Sequence, residues 1–140
     1  MPRYVILRHE CPPGYSRPSH WDFMLEVGQT LKTWALPHLP FDTAPDETTP
    51  GGASGNGSCR AEALADHRLE YLTYEGPVSG GRGDVARWDQ GAYRLVGCSE
   101  DEWIVELRGE RLQGCIVLRR IAGELQFWRW QFRNSIEGRP

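Results

Sequence analysis

His20-Trp21-Asp22-Phe23-Met24-Leu25-Glu26-Val27 alternates polar and apolar residues with a period of two. A strand sends successive side chains to opposite faces, so His20, Asp22, Met24 and Glu26 share one side and Trp21, Phe23, Leu25 and Val27 the other. The apolar side reads as core. The other side sets an imidazole and a carboxylate about two residues apart, close enough for both to reach one cation. Gly28-Gln29 then turns the chain into a second run, Thr30–Leu36, which Pro37 stops, so the two form a β-hairpin.

Working outward, residues 3–8 are a short apolar-rich run that delivers His9 at a strand end, where it is available as a third ligand. Residues 11–19 hold Pro12, Pro13, Gly14 and Pro18 and read as a loop. Residues 42–58 are Pro, Gly, Ser, Thr, Asn and acid with little to bury, which predicts a flexible internal loop. Residues 59–65 fit a strand or a short helix equally, because alanines dominate. Residues 84–88, 92–96, 102–108, 112–120 and 124–132 are β-rich runs separated by Gly or acidic turns. No sustained helical periodicity is visible, so the expected fold is all-β, mainly antiparallel, a compact barrel or sandwich with little helix. Trp128, Trp130 and Phe132 share one side of the last run and read as core rather than as a base-stacking platform.

The 140 residues, 39% hydrophobic and 11% aromatic, suit one domain spanning 1–140 with a real core. A formal net charge of -3 argues against a protein that coats nucleic acid non-specifically, although a local basic groove fits within that balance. Among the basic residues only Lys32 is Lys, a skew that a codon bias explains. Cys11, Cys59, Cys98 and Cys115 show no C-x-x-C spacing and read as ordinary reduced thiols. With no long apolar run at the start or elsewhere, the cytoplasm is the default location and no membrane is involved.

The residues alone leave the chemistry open. His20 with Asp22 fits a metal site, and equally a solvated strand face on which a carboxylate pairs an imidazole. His9 fits a third ligand or surface decoration, and His38 and His67 stand isolated. Residues 74–83 are Gly-rich but match neither a nucleotide-phosphate loop nor a dinucleotide fingerprint; they suit a sharp turn before Asp84, with Arg82 able to reach an anion. No Ser-His-Asp arrangement or nucleophile elbow is present, so covalent hydrolase chemistry has no support.

His9-Glu10, His20-Trp21-Asp22-Phe23 and Leu31-Lys32-Thr33-Trp34-Ala35-Leu36-Pro37 resemble the 3′-phosphoesterase domain of bacterial DNA ligase D. Asp66-His67-Arg68-Leu69-Glu70-Tyr71, Tyr74-Glu75-Gly76, Trp88-Asp89-Gln90-Gly91 and Leu107-Arg108-Gly109-Glu110-Arg111-Leu112-Gln113-Gly114 resemble its later blocks, in the same order and over most of the chain. The resemblance implies a stand-alone, monomeric β-barrel with a groove for a divalent transition metal, typically manganese. The implied activity is removal of a 3′-terminal ribonucleotide and then a 3′-phosphate, leaving a 3′-hydroxyl before non-homologous end joining in DNA repair. Nucleic-acid 3′ ends of primer-template DNA or DNA/RNA are the implied partner, with a separate DNA ligase or polymerase.

Carried over residue by residue, the resemblance makes His9, His20 and Asp22 the metal ligands and His67 the residue facing the scissile phosphate, with Tyr71 beside it. Arg60, Arg82 and His38 are the phosphate-binding candidates. The chain also departs from the family. The loop between His9 and His20 is longer, Met24 replaces a phosphate-contacting Arg, His38 replaces a Lys, Ala65 replaces an acidic residue, and Arg60 falls about one position from the family's Arg. Losing the guanidinium at Met24 removes a charge-assisted bond worth roughly 2 kcal/mol, which Arg82 or Arg60 would have to replace. Two alternatives therefore stand beside the nuclease reading: a non-catalytic end-binding or scaffold module of the same fold, and a phosphoesterase acting on small nucleotides.

Overall fold

Strand β1 (Arg3–Glu10) pairs with β2 (His20–Val27), β2 with β3 (Thr30–Leu36), and β3 with β4 (Gly57–Arg68), all antiparallel. The structure is a computed structural model and describes residues 1–40 and 57–134. A 3-10 turn (Leu69–Leu72) and the two-residue β5 (Gly76–Pro77) lead into the long β6 (Asp84–Cys98), followed by β7 (Glu102–Gly109), β8 (Gln113–Arg120) and β9 (Phe127–Asn134). The spatial order is β1-β2-β3-β4-β9-β8-β7-β6, and β6 pairs back onto β1. Eight strands thus close an all-β antiparallel barrel, and closure leaves none of the eight with an unpaired edge. The ambiguous stretch 59–65 lies within β4. The proposed loop at 42–58 lies outside the described residues except for Gly57 and Ser58, which begin β4.

Alternation fills the interior. Tyr4, Ile6, Phe23, Leu25, Trp34, Leu36, Trp103, Val105, Leu107, Ile116, Leu118, Trp128, Trp130 and Phe132 form one buried cluster. Its aromatic rings meet edge to face, Phe23 on Trp130 at 5.6 Å and Trp34 on Trp128 at 5.7 Å between centroids, the arrangement their quadrupoles favour.

Three readings are corrected. The polar face of β2 is not solvated: Asp22 and Met24 are 2% and 1% exposed, and His20 6%. Val5, Leu7, Met24 and Leu31 project from the outer wall of β1–β3 into a second cluster with Leu72, Val78 and Val85, so the segment after β4 folds back over that wall. Val27, read as core, is instead exposed at the end of β2. Residues 84–88 and 92–96 are also one strand rather than two. Gly91 continues β6 because a Cβ there would overlap the Arg108 carbonyl of β7, so this glycine serves close strand approach, not a turn.

Candidate active site

Within the β1–β2 pairing His9 lies directly opposite His20, and Leu7 opposite Asp22. His9, His20 and Asp22 therefore share the outer face, with Asp22 diagonal to His9 at a separation that long side chains bridge. Nδ1 of His9 is 3.5 Å from Asp22 Oδ2, and Nε2 of His20 is 3.1 Å from Asp22 Oδ1. His9 lies inside β1, not beyond its end.

Both rings are oriented by backbone. Nε2 of His9 lies 2.8 Å from the Arg82 carbonyl, and Nδ1 of His20 lies 2.9 Å from the Pro18 carbonyl. A carbonyl only accepts, so those nitrogens carry the protons, and in the neutral rings the nitrogens facing Asp22 carry lone pairs. Each imidazole thus turns a nitrogen to a different Asp22 oxygen, an arrangement able to hold a cation, although the group whose ligand atoms all lie within 4.8 Å of one another is His9, Cys11 and His20. Asp22 Oδ1 is buried and accepts no hydrogen bond, as that account requires. The protonated forms show the same demand. Burial works to raise the Asp22 carboxyl, but the contacts and charges of His20 and His9 outweigh it and hold the carboxyl below its ordinary range. Contact with Asp22 holds the His9 imidazole above its ordinary range, against its partial burial. Two imidazoles with carbonyl-anchored rings and one carboxylate fit a divalent transition metal.

His9 and Asp22 wall a small cavity of about 60 Å³ with Met24, His67, Tyr71 and Arg82, among other residues. One water needs about 10–15 Å³ of such space, so the cavity is on the scale of a small polar group such as an oxyanion. His67 reaches it from the end of β4, and Tyr71 from the 3-10 turn that follows, their rings 5.8 Å apart and edge to face. His67 Nδ1 donates to the Ala65 carbonyl at 2.9 Å, which leaves Nε2 as the nitrogen free to serve the cavity.

Arg82 lines the same cavity with its guanidinium already engaged. Its guanidinium donates to Ser79, through Nε at 2.7 Å to the carbonyl and through an η nitrogen at 3.3 Å to the hydroxyl, while its own carbonyl orients His9. Gly83 makes that approach possible: its φ is +94°, and a Cβ there would overlap the Glu10 carbonyl.

Arg60 and His38 stand apart from this cavity. Arg60 pairs with Glu124, covers the Phe127 ring at 4.0 Å, and lines a larger cavity of about 510 Å³ that also touches His20, Arg17 and Glu62. His38 is exposed beyond β3 and lines neither of these two cavities. Cys11, read from the sequence as an ordinary reduced thiol, lies at the edge of the site. Its Sγ and one ring nitrogen each of His9 and His20 lie within 4.8 Å of one another. All four cysteines are free thiols, and burial and the Asp22 charge push the Cys11 thiol upward. The signal that could have found it is His9-x-Cys11, two residues apart at the site's edge.

Residues 14–120 match the model of the DNA ligase D 3′-phosphoesterase domain. The chain belongs to that family. The chain is 34% identical over 129 residues to the multifunctional non-homologous end joining DNA repair protein LigD of Mycobacterium tuberculosis, covering 86% of this chain and 15% of that protein. It is 33% identical over 137 residues to the multifunctional non-homologous end joining protein LigD of Pseudomonas aeruginosa, covering 90% of this chain and 14% of that protein. The chain thus spans about one seventh of the length of these relatives. Among the described residues no helix is long and apolar enough to cross a membrane.

Proposed function

We propose that this chain is a metal-dependent phosphoesterase that trims 3′ ends of nucleic acid in DNA repair, removing a 3′-terminal ribonucleotide and a 3′-phosphate to leave a 3′-hydroxyl. The observation that carries the reading is the buried Asp22 carboxylate between two carbonyl-anchored imidazoles, His20 on Oδ1 and His9 on Oδ2, with Oδ1 accepting no hydrogen bond, beside a small cavity. Family membership supplies the reaction class, and the relatives' names supply the repair setting.

His9, His20 and Asp22 would hold the cation, manganese or another divalent transition metal. Such a cation supplies positive charge against a phosphoryl oxygen and lowers the pKa of an attacking water. His67 presents Nε2 to the cavity; because Nδ1 holds a proton on the Ala65 carbonyl, Nε2 carries one only in the imidazolium form, and in that form it would protonate the departing oxygen or stabilise charge on the phosphoryl group. Tyr71 packs edge to face on His67 and fixes that ring. The closed apolar backing of Leu7, Met24, Val78 and Val85 keeps bulk water from the rear of the cavity.

Incubation of the full chain with manganese and a primer ending in a ribonucleotide or a 3′-phosphate tests this. Conversion to a 3′-hydroxyl is expected, and is lost in His20→Ala. No conversion with any of several divalent ions would overturn the proposal. One observation favours a second reading: Met24, with no charge to offer an anion, lines the cavity where the family has Arg. A module that binds 3′ ends without cutting them would show saturable end binding and no turnover. A phosphoesterase for small nucleotides would show turnover that primer-template duplex does not inhibit.

A further inference from the structure

We propose that Cys11 is a fourth ligand of the cation, which makes this a thiolate-containing centre that prefers zinc or cobalt over manganese. The inference rests on the metal reading of His9, His20 and Asp22 given above and adds to it the class of metal.

The geometry comes from the way the loop after β1 is tied. The Cys11 backbone N–H donates to Ser19 Oγ at 2.9 Å, so the first and last residues of the 11–19 loop are held together. Ser19 immediately precedes His20, and Cys11 lies two residues beyond His9, so the tie brings Cys11 beside the paired histidines. Its Sγ and one nitrogen of each ring fall within 4.8 Å of one another, the only such trio of ligand types among the described residues. A tetrahedral zinc ion with metal–sulfur and metal–nitrogen bonds of about 2.3 and 2.0 Å holds such atoms roughly 3.5 Å apart. The trio therefore needs to contract by no more than about 1 Å to hold the ion. The independent sign of a ligand at this place is Asp22 Oδ1, buried without a hydrogen-bond donor and 3.1 Å from His20 Nε2.

Ligand chemistry then fixes the metal class. Two imidazoles and a carboxylate accept manganese, zinc or cobalt, whereas a thiolate is a soft donor that favours zinc and disfavours manganese. On binding, the Cys11 S–H proton passes to solvent and one Sγ–metal bond forms. Nothing is oxidised or reduced.

Cobalt titration of the metal-stripped full chain reads the sulfur directly. The expected spectrum has visible ligand-field bands together with near-ultraviolet sulfur-to-cobalt charge transfer. That charge transfer is lost in Cys11→Ser and Cys11→Ala and retained in Cys98→Ser, which controls for an exposed thiol. In competition with a chromophoric chelator, Cys11→Ser weakens zinc binding by at least about tenfold while manganese binding changes less than about threefold. Circular dichroism of the metal-stripped variants should superimpose on the parent. Ligand-field bands without charge transfer, or charge transfer that survives loss of Cys11, would overturn the Cys11 assignment and leave the three-ligand centre standing. Absence of any cobalt spectrum in the parent protein would overturn both.

Discussion

His9 and His20 are direct partners across the β1–β2 pairing, their ring centroids 4.7 Å apart, and the carbonyls that orient them come from Arg82 and Pro18, both outside those strands. The strands set the spacing of the rings, and the loops set which nitrogen faces Asp22. The site thus depends on the barrel wall and on the segment folded over it together.

Asp22→Asn is the most direct probe of that arrangement. The amide matches the carboxylate in shape but brings N–H donors and no charge, so metal affinity and kcat for 3′-phosphate release should each fall at least about a hundredfold. A thermal melt of the metal-stripped variant should stay cooperative. Isothermal titration with manganese and zinc checks the first outcome, and unchanged affinity would remove Asp22 from the ligand set.

The metal-stripped protein should be most stable in mild acid. His9 titrates above its ordinary 6.5 in the folded chain, so its contribution is full below 6.5 and is lost as pH rises through the folded value. Asp22 titrates below its ordinary 3.8, so its contribution is present above 3.8 and is lost as pH falls through the folded value. Both contributions coexist between about 4 and 6.5, the window these two directions define. Urea midpoints across pH 3 to 9 should peak there. Added metal should recover the loss on the alkaline side, because it replaces the proton between His9 and Asp22.

His67→Ala should separate chemistry from binding. Nothing in its geometry ties His67 to the three ligands, so metal affinity should hold, while kcat falls by about 10²–10⁴-fold, the usual worth of a positioned proton donor. Tyr71→Phe keeps the ring packed on His67 and should retain most of the activity. Equal losses in both variants would assign the role to the Tyr71 hydroxyl instead.

The barrel was legible in the alternation of β2 and in the β-rich runs of the second half, because a strand that turns one face to the core writes a period of two into the sequence whatever covers its other face. The burial of the outer face was not, since Met24 beside Asp22 looks the same whether water or the 69–85 segment covers it. The proposed ligand trio of His9, His20 and Asp22 was half legible. His20 and Asp22 follow from one strand, but placing His9 opposite His20 needs a register that a nine-residue proline-containing loop does not specify. His67 and Tyr71 came only through the family resemblance, because a closed topology rather than a local pattern brings them in. Arg82 was noticed for its guanidinium, whereas its carbonyl is what meets His9, and a backbone group has no residue type to read.

Away from the site, Asp89 holds the turn after β7 to β1. Its Oδ1 accepts the Arg111 N–H at 2.7 Å, and its Oδ2 accepts the Leu112 N–H at 3.1 Å and the Tyr4 hydroxyl. Burial pushes the Asp89 carboxyl up even so, and these donors offset part of that cost. Tyr4→Phe removes one donor from a buried carboxylate and should cost about 1–3 kcal/mol. Gly109→Ala should cost more, because its Cβ would overlap both the Tyr4 hydroxyl and Asp89 Oδ2 in a part of the wall with no slack.

Met24→Arg introduces the arginine that the family resemblance implies at this place, and its two effects oppose each other. Met24 is 1% exposed and packs in the outer cluster with Leu7, Val78 and Val85, so a guanidinium there meets apolar walls and lowers the melting temperature. The same position lines the oxyanion-sized cavity, where a bound phosphate would pair the charge through a bond worth about 1.5–3 kcal/mol. Inorganic phosphate should therefore bind the variant at least about tenfold more tightly than the parent and raise its melting temperature by a larger increment. Differential scanning fluorimetry over a phosphate series measures both. If turnover of a 3′-phosphate primer also rises, Met24 limits an active enzyme; if binding tightens and turnover stays absent, the end-binding reading replaces it.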